Sequence, residues 1–82
     1  MNFYVYMLKT NHKKPITYVG YTNNLIKRIN SHNSGKGAKF TKGRKWTLIY
    51  KEIFKTKSEA ISREYYIKKN RTLRNKIKNK FI

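Results

Sequence analysis

Any carboxylate chemistry in this chain, acid–base or metal-binding, rests on Glu52, Glu59 and Glu64, its only acids. There is no aspartate and no cysteine. Aspartate pairs and triads, thiolate nucleophiles, disulfide scaffolds and cysteine-ligated zinc are therefore excluded. Glu59 closes the capping box Thr56-Lys57-Ser58-Glu59 and belongs to a helix start, reaching back to the Thr56 backbone. Glu52 stands among lysines in an alternating stretch, where a cross-strand ion pair is its ordinary use. Glu64 differs. It lies one helical turn after Ala60 and one before Ile67 and Lys68, which turns it toward the apolar side. A partly buried carboxylate needs a partner. Arg63, adjacent in sequence, points elsewhere on the helix, so a divalent cation or Arg28 of another helix would serve. Arg28 and His32 stand four apart and share a helical face, and Tyr6 and Tyr18 fall on neighbouring strands that a hairpin could bring together. Taken singly, each of these also fits an ordinary surface or core position. His12, in a polar loop, carries no role.

The elements that must position these side chains are legible from pattern. Residues 3–8, Phe-Tyr-Val-Tyr-Met-Leu, are aromatic or aliphatic on both alternating faces and read as a buried strand. A polar loop from Thr10 to Pro15 leads to a second strand over 16–21, with Gly20 marking a close backbone approach or a bulge. Thr22 and the asparagines after it cap a helix over about 23–33. Leu25, Ile26 and Ile29 form its apolar stripe, and Ser34-Gly35-Lys36-Gly37 ends it. A basic loop or short helix from Lys36 to Arg44 has Phe40 as its one large anchor. Residues 46–54 alternate as a third strand, with Trp46, Leu48, Tyr50, Glu52 and Phe54 on one side. The capping box then opens a helix over about 57–69, buried through Ala60, Ile61 and Ile67, with Tyr65 or Tyr66 at its edge. Thr72 caps a last helix striped by Leu73, Ile77 and Phe81. The order β-β-α-β-α-α predicts an α+β fold: a three-stranded antiparallel sheet flanked by helices. At 82 residues the chain is expected to form one domain over 1–82, with a thin core.

Charge narrows the partner. Twenty-one Lys and Arg against three acids give a net +18. That balance points to a polyanion, and nucleic acid is the expected partner. The longest apolar run is far short of the roughly 20 residues that span a bilayer, and the N-terminal apolar stretch has no basic lead-in. A cytoplasmic, nucleic-acid-associated protein with no membrane partner is expected. A membrane-active cationic peptide is disfavoured, because no dominant amphipathic helix exists.

The ordered set is more informative than its parts. Tyr4-Val5-Tyr6, then Tyr18-Val19-Gly20 twelve residues on, then Arg28 and His32, then Glu64, resembles the GIY-YIG nuclease superfamily. The helix segment Thr22-Asn23-Asn24-Leu25-Ile26-Lys27-Arg28-Ile29-Asn30-Ser31-His32-Asn33 looks like that family's helix, in which a leucine precedes a catalytic arginine and a histidine follows. Ser34 to Thr41 and Ser58 to Lys69 resemble its small stand-alone branch of uncharacterised proteins. The likeness runs over about residues 3 to 82.

This resemblance implies a divalent-metal-dependent endonuclease that hydrolyses phosphodiester bonds, with DNA as the most probable substrate and repair or recombination as the setting. The cofactor it implies is one Mg²⁺ (or Mn²⁺) held by Glu64, and the catalytic set it implies is Tyr6, Tyr18, Arg28, His32 and Glu64. Arg28 would clamp the phosphate, and Tyr6 would take or position the proton of the attacking water once nearby cations lower its pKa. His32 would hydrogen-bond the tyrosine or the phosphate. Lys36, Lys39, Lys42, Arg44 and Lys45 would flank the site, and Lys68, Lys69 and Arg71 open a second cluster, with seven basic residues in 68–80. Contacts of this kind are sequence-independent, and about six of them would give a log–log salt slope of about −5. Two departures stand out: Tyr4 replaces the first motif's glycine, and neither Asn70 nor Asn75 is assigned to the late asparagine of larger members. The competing reading is a basic nucleic-acid-binding module with little catalysis. Glu64 separates the two, because a negative charge in a phosphate groove serves only a metal enzyme.

Overall fold

The computed structural model describes residues 2–11 and 13–80; His12, and Phe81 of the last helix's stripe, lie outside them. Three strands, β1 (Phe3–Thr10), β2 (Thr17–Thr22) and β3 (Trp46–Phe54), form an antiparallel sheet in the order β2-β1-β3. Helix α1 (Leu25–Asn33) and a 3₁₀ turn (Lys39–Thr41) precede β3, and helices α2 (Lys57–Lys69) and α3 (Arg71–Lys80) follow it. The expected α+β order is the observed one.

The central place of β1 explains its two apolar faces. Val5 and Met7 pack on one side with Val19, Ile49, Ala60, Ile67 and Ile77, under α2 and α3. Tyr6 and Leu8 pack on the other with Trp46, Leu25 and Ile29, under α1. Each fully buried aliphatic side chain contributes about 1.5–3 kcal/mol, so this one strand anchors both layers.

The third strand does not alternate without a break. Leu8 pairs with Leu48 but Met7 pairs with Tyr50, so Ile49 is an extra residue at a bulge. A bulge flips the parity of every residue beyond it. Trp46 and Leu48 therefore pack on the α1 side, whereas Tyr50 and Phe54 pack beneath α2 and α3.

Caps fix the helix ends. Asn24 accepts from the Lys27 amide, which starts α1 at Leu25 and not at 23. Ile26 is 76% exposed, leaving Leu25 and Ile29 to do the packing expected of all three. Gly35, with φ +83°, takes the left-handed conformation that follows a helix end. Thr56 caps α2 as expected, but the Glu59 carboxylate accepts from the Thr56 hydroxyl instead of the backbone. Ile61 is 41% exposed, so Ala60 and Ile67 carry the buried side. The cap of α3 is Asn70, whose side chain accepts from the Leu73 amide; Thr72 lies inside the helix. Arg74 then donates to the Ile67 and Lys68 carbonyls, closing the end of α2 against α3.

Candidate active site

The site is built around Tyr6. In the antiparallel register Tyr6 stands directly opposite Gly20 on β2, and its ring lies across the space where a side chain would be. A Cβ on Gly20 would fall 2.5 Å from the Tyr6 phenol oxygen and 2.7 Å from its Cζ. Tyr18, diagonal to Tyr6 on the edge strand, brings its ring to 6.5 Å from that of Tyr6.

Helix α1 delivers the next two groups from one face, since residues four apart stack over one another. His32 is fully buried, and its Nε2 lies 2.8 Å from the Tyr6 hydroxyl. Its Nδ1 lies 2.8 Å from Oγ1 of Thr41, on the 3₁₀ turn. The Tyr18 ring meets the imidazole edge-on, at 5.0 Å. One turn earlier, Arg28 reaches the Tyr6 phenol and, more weakly, that of Tyr18; these contacts raise its pKa further. Gly37 completes the packing, because a Cβ there would sit 2.3 Å from the His32 Nδ1.

Burial sets the protonation of this cluster. It pushes the Tyr6 phenol up to about 12, with Arg28 pulling the other way. Arg28 by itself does not bring the phenol below its ordinary value, because desolvation outweighs it. Burial, reinforced by Arg28, holds His32 below its ordinary value. At neutral pH both groups are uncharged.

Glu64, on α2, is close enough for its charge to act on Tyr6. Its side chain is 18% exposed, and its partner is Lys68, one turn on, at 3.7 Å. The partner expected was a cation or Arg28. Arg63 is engaged elsewhere: it holds Glu52 through two hydrogen bonds, of 2.7 and 3.2 Å, and Tyr50 donates to the same carboxylate. Glu52 thus pairs with a helix and not across the sheet. Burial would raise its pKa, but the bonds from Arg63 and Tyr50 outweigh that and hold it low.

Among the described residues no three His, Asp or Glu side chains gather into a ligand cluster. A lone, partly buried carboxylate suits Mg²⁺, which keeps most of its waters and takes one or two carboxylates plus substrate phosphate. It does not suit zinc, which needs three or four protein ligands.

The basic residues expected to flank the site fall into two groups along the chain. Lys36, Lys39, Lys42 and Lys45 are exposed. Arg44 is half-buried, donating to the Phe40 carbonyl at 2.8 Å and lying over the Phe40 ring, which stacks on Tyr18. Lys68 lies 6.0 Å from the Tyr18 ring, Lys69 covers Tyr65, and Arg71 is exposed at the start of α3. A groove lined by Tyr50, Leu73, Lys76, Ile77 and Lys80 contains none of the site residues. Among the described residues no helix is long and apolar enough to cross a membrane.

Thr41, and the clearance that Gly20 and Gly37 provide, were not singled out as site features from the sequence. The pattern held one clue: Gly37 and Thr41 both lie in the segment that resembles the small stand-alone proteins.

Comparison with known proteins agrees with this arrangement. The GIY-YIG catalytic domain matches residues 2–78. The UPF0213 protein CPE1444 of Clostridium perfringens is 58% identical over 67 residues, covering 80% of this chain and 70% of the relative. The UPF0213 protein YazA of Bacillus subtilis is 51% identical over 69 residues, covering 83% and 68%. The solution NMR structure of the UPF0213 protein BH0048 from Bacillus halodurans superposes with a TM-score of 0.56 at 37% identity, over 99% of this chain and 86% of that one. With motif order, sheet register and relatives in agreement, the chain belongs to the GIY-YIG family, among the small UPF0213 proteins.

Proposed function

We propose that this protein is a divalent-cation-dependent endonuclease that hydrolyses phosphodiester bonds in DNA. The observation that carries the reading is the convergence of two phenols, a guanidinium and an imidazole from β1, β2 and α1, with the Glu64 charge near enough to act on Tyr6. A structural core has no need of an arginine beside one buried phenol and one half-buried one. The basic residues expected to flank the site supply phosphate contacts without reading sequence.

In this reading Arg28 holds the scissile phosphate and offsets the charge that builds on it. Tyr6 orients the attacking water. As the water oxygen bonds to phosphorus and the P–O ester bond breaks, the water proton passes to the Tyr6 oxygen while the phenol proton moves to His32 Nε2. The leaving oxygen takes its proton from solvent. In the resting protein that transfer is uphill, because burial holds the Tyr6 phenol high and the His32 imidazole low. A phosphate beside His32 favours the imidazolium and reduces the gap. A divalent cation on Glu64 would hold the phosphate, stabilise the leaving oxygen and lower the phenol's affinity for its proton. Lys68 releases Glu64 readily, since a pair at 3.7 Å with an exposed lysine is worth little.

The test is a nicking assay on supercoiled and branched DNA with Mg²⁺ or Mn²⁺, and with EDTA. Cleavage is expected only with the cation, and Glu64→Gln, Arg28→Ala and Tyr6→Phe should abolish it while DNA binding persists. Undiminished cleavage by Glu64→Gln would show the activity to be a contaminant and leave a nucleic-acid-binding module as the function.

A further inference from the structure

Hydrogen-bond directions around His32 are over-determined, and they single out Thr41. The Thr41 hydroxyl carries one proton, and it donates that proton to the Ala38 carbonyl at 2.8 Å. Toward the His32 Nδ1, also at 2.8 Å, it can then only accept, so Nδ1 bears the ring proton. In the neutral imidazole the other nitrogen, Nε2, is left as an acceptor, and the Tyr6 hydroxyl donates to it. The reverse order fails at the Thr41 end: if Nε2 carried the proton, a bare Nδ1 would face, at 2.8 Å, a hydroxyl oxygen whose one proton is already given to Ala38. Every donor along Tyr6–His32–Thr41–Ala38 therefore points the same way. Among the described residues no buried side-chain polar atom is left without a partner.

The turn that carries Thr41 is itself tied down. The Trp46 indole donates to the Thr41 carbonyl at 3.0 Å. The Asn33 side chain, at the end of α1, accepts from the Trp46 amide at 2.6 Å and donates to its carbonyl at 3.1 Å. Thr41 is fully buried, and the absent side chain at Gly37 keeps the Nδ1 side of the ring open to it. Helix end, turn and strand start thus form one bracket around the imidazole. A hydroxyl fastened this firmly, in a chain with so thin a core, does more than fill space.

We propose that Thr41 is a positioning residue of the site: its hydroxyl locks His32 as the Nδ1–H tautomer, so that Nε2 can receive the Tyr6 proton. The catalytic part of this inference rests on the nuclease reading above; the tautomer does not. Supporting partners of this kind typically affect the function of the histidine they orient by about 10–100-fold.

The experiment combines ring-nitrogen NMR with kinetics on the full chain. Long-range ¹H–¹⁵N spectra at pH 7.5, with the His32 signals assigned by comparison with His32→Asn, should show Nδ1 protonated and Nε2 bare in the wild type. Thr41→Val keeps the shape and removes the hydroxyl; it should populate the Nε2–H tautomer and lower kcat by about 10–100-fold with KM within about twofold. Thr41→Ser should restore both the tautomer and kcat to near the wild-type values. A wild-type ring protonated on Nε2 would overturn the proposal. So would Thr41→Val with an unchanged tautomer, or Thr41→Ser as impaired as Thr41→Val. Should Thr41→Val fail to fold, the wild-type spectrum and the serine variant decide between the same outcomes. If the wild type cleaves no DNA, the nuclease reading fails, and the spectra still decide the tautomer.

Discussion

Replacing Gly20 by alanine isolates the demand that Tyr6 makes on the sheet. Gly20 does not have positive φ; among the described glycines only Gly35 and Gly43 do, so an alanine backbone fits at position 20. The added methyl carbon, however, would lie 2.5 Å from the Tyr6 oxygen, 2.7 Å from its Cζ and 3.2 Å from Cε2 of Tyr18. Ordinary carbon contacts are about 3.5–4.0 Å, so the Tyr6 ring must move by about 1 Å. That displacement stretches its 2.8 Å bond to His32 beyond hydrogen-bonding range. Overpacking costs about 1–3 kcal/mol and a buried phenol stripped of its acceptor about 1–3 more. Alanine recovers about 0.5–1 kcal/mol of backbone entropy. The net is about 3 kcal/mol, a fall in Tm of 10 °C or more for a domain of this size. Urea unfolding of Gly20→Ala beside the wild type measures the loss directly, and the nicking assay should register loss of cleavage in protein that remains folded. A variant within about 0.5 kcal/mol of wild type that still cleaves DNA would refute the claim that Gly20 exists to seat Tyr6.

Three further expectations concern charge. The Tyr6 phenol ionises near 10 in the unfolded chain and about 12 in the folded one, so its contribution is intact below about pH 10 and is lost as pH rises through 12. Tyr6→Phe should flatten that alkaline limb in urea titrations at stepped pH; an unchanged slope would refute the assignment. His32 works in the other direction: its folded pKa is depressed, so stability is full above about pH 6.5 and falls as pH drops through the folded value, a decline that His32→Asn should lack. Glu52→Gln, which weakens the half-exposed Arg63 pair, should cost about 1 kcal/mol in urea unfolding and leave nicking unchanged, in contrast to Glu64→Gln. Loss of cleavage in Glu52→Gln would mean that the wrong glutamate has been placed in the site.

How far the sequence reached is clearest at particular residues. Strand and helix periods, the Thr56 box and the glycines after α1 identified each element within a residue or two, because caps and alternation act over single turns and leave local signatures. The bulge at Ile49 left none. Nothing in Trp46–Phe54 announces which residue is extra, and the register is chosen by the partner strand. The exposures of Ile26 and Ile61 were misjudged for a related reason: an apolar residue beside a helical stripe looks the same as one inside it until the neighbouring layer is in place.

The candidate site divides along the same line. The proposed set of Tyr6, Tyr18, Arg28, His32 and Glu64 came from the resemblance of their types and order to the GIY-YIG motifs, since each taken singly also fits an ordinary core or surface position. Only the folded structure decided who pairs with whom: Lys68 with Glu64, Arg63 with Glu52, and Thr41 behind His32. Those pairings join residues through space, and the direction of a hydrogen bond depends on every polar atom around it. Burial settled the rest. Beside Arg28 alone, the loss of water in the packed interior counts for more than the arginine's charge, and the Tyr6 phenol is pushed up to about 12.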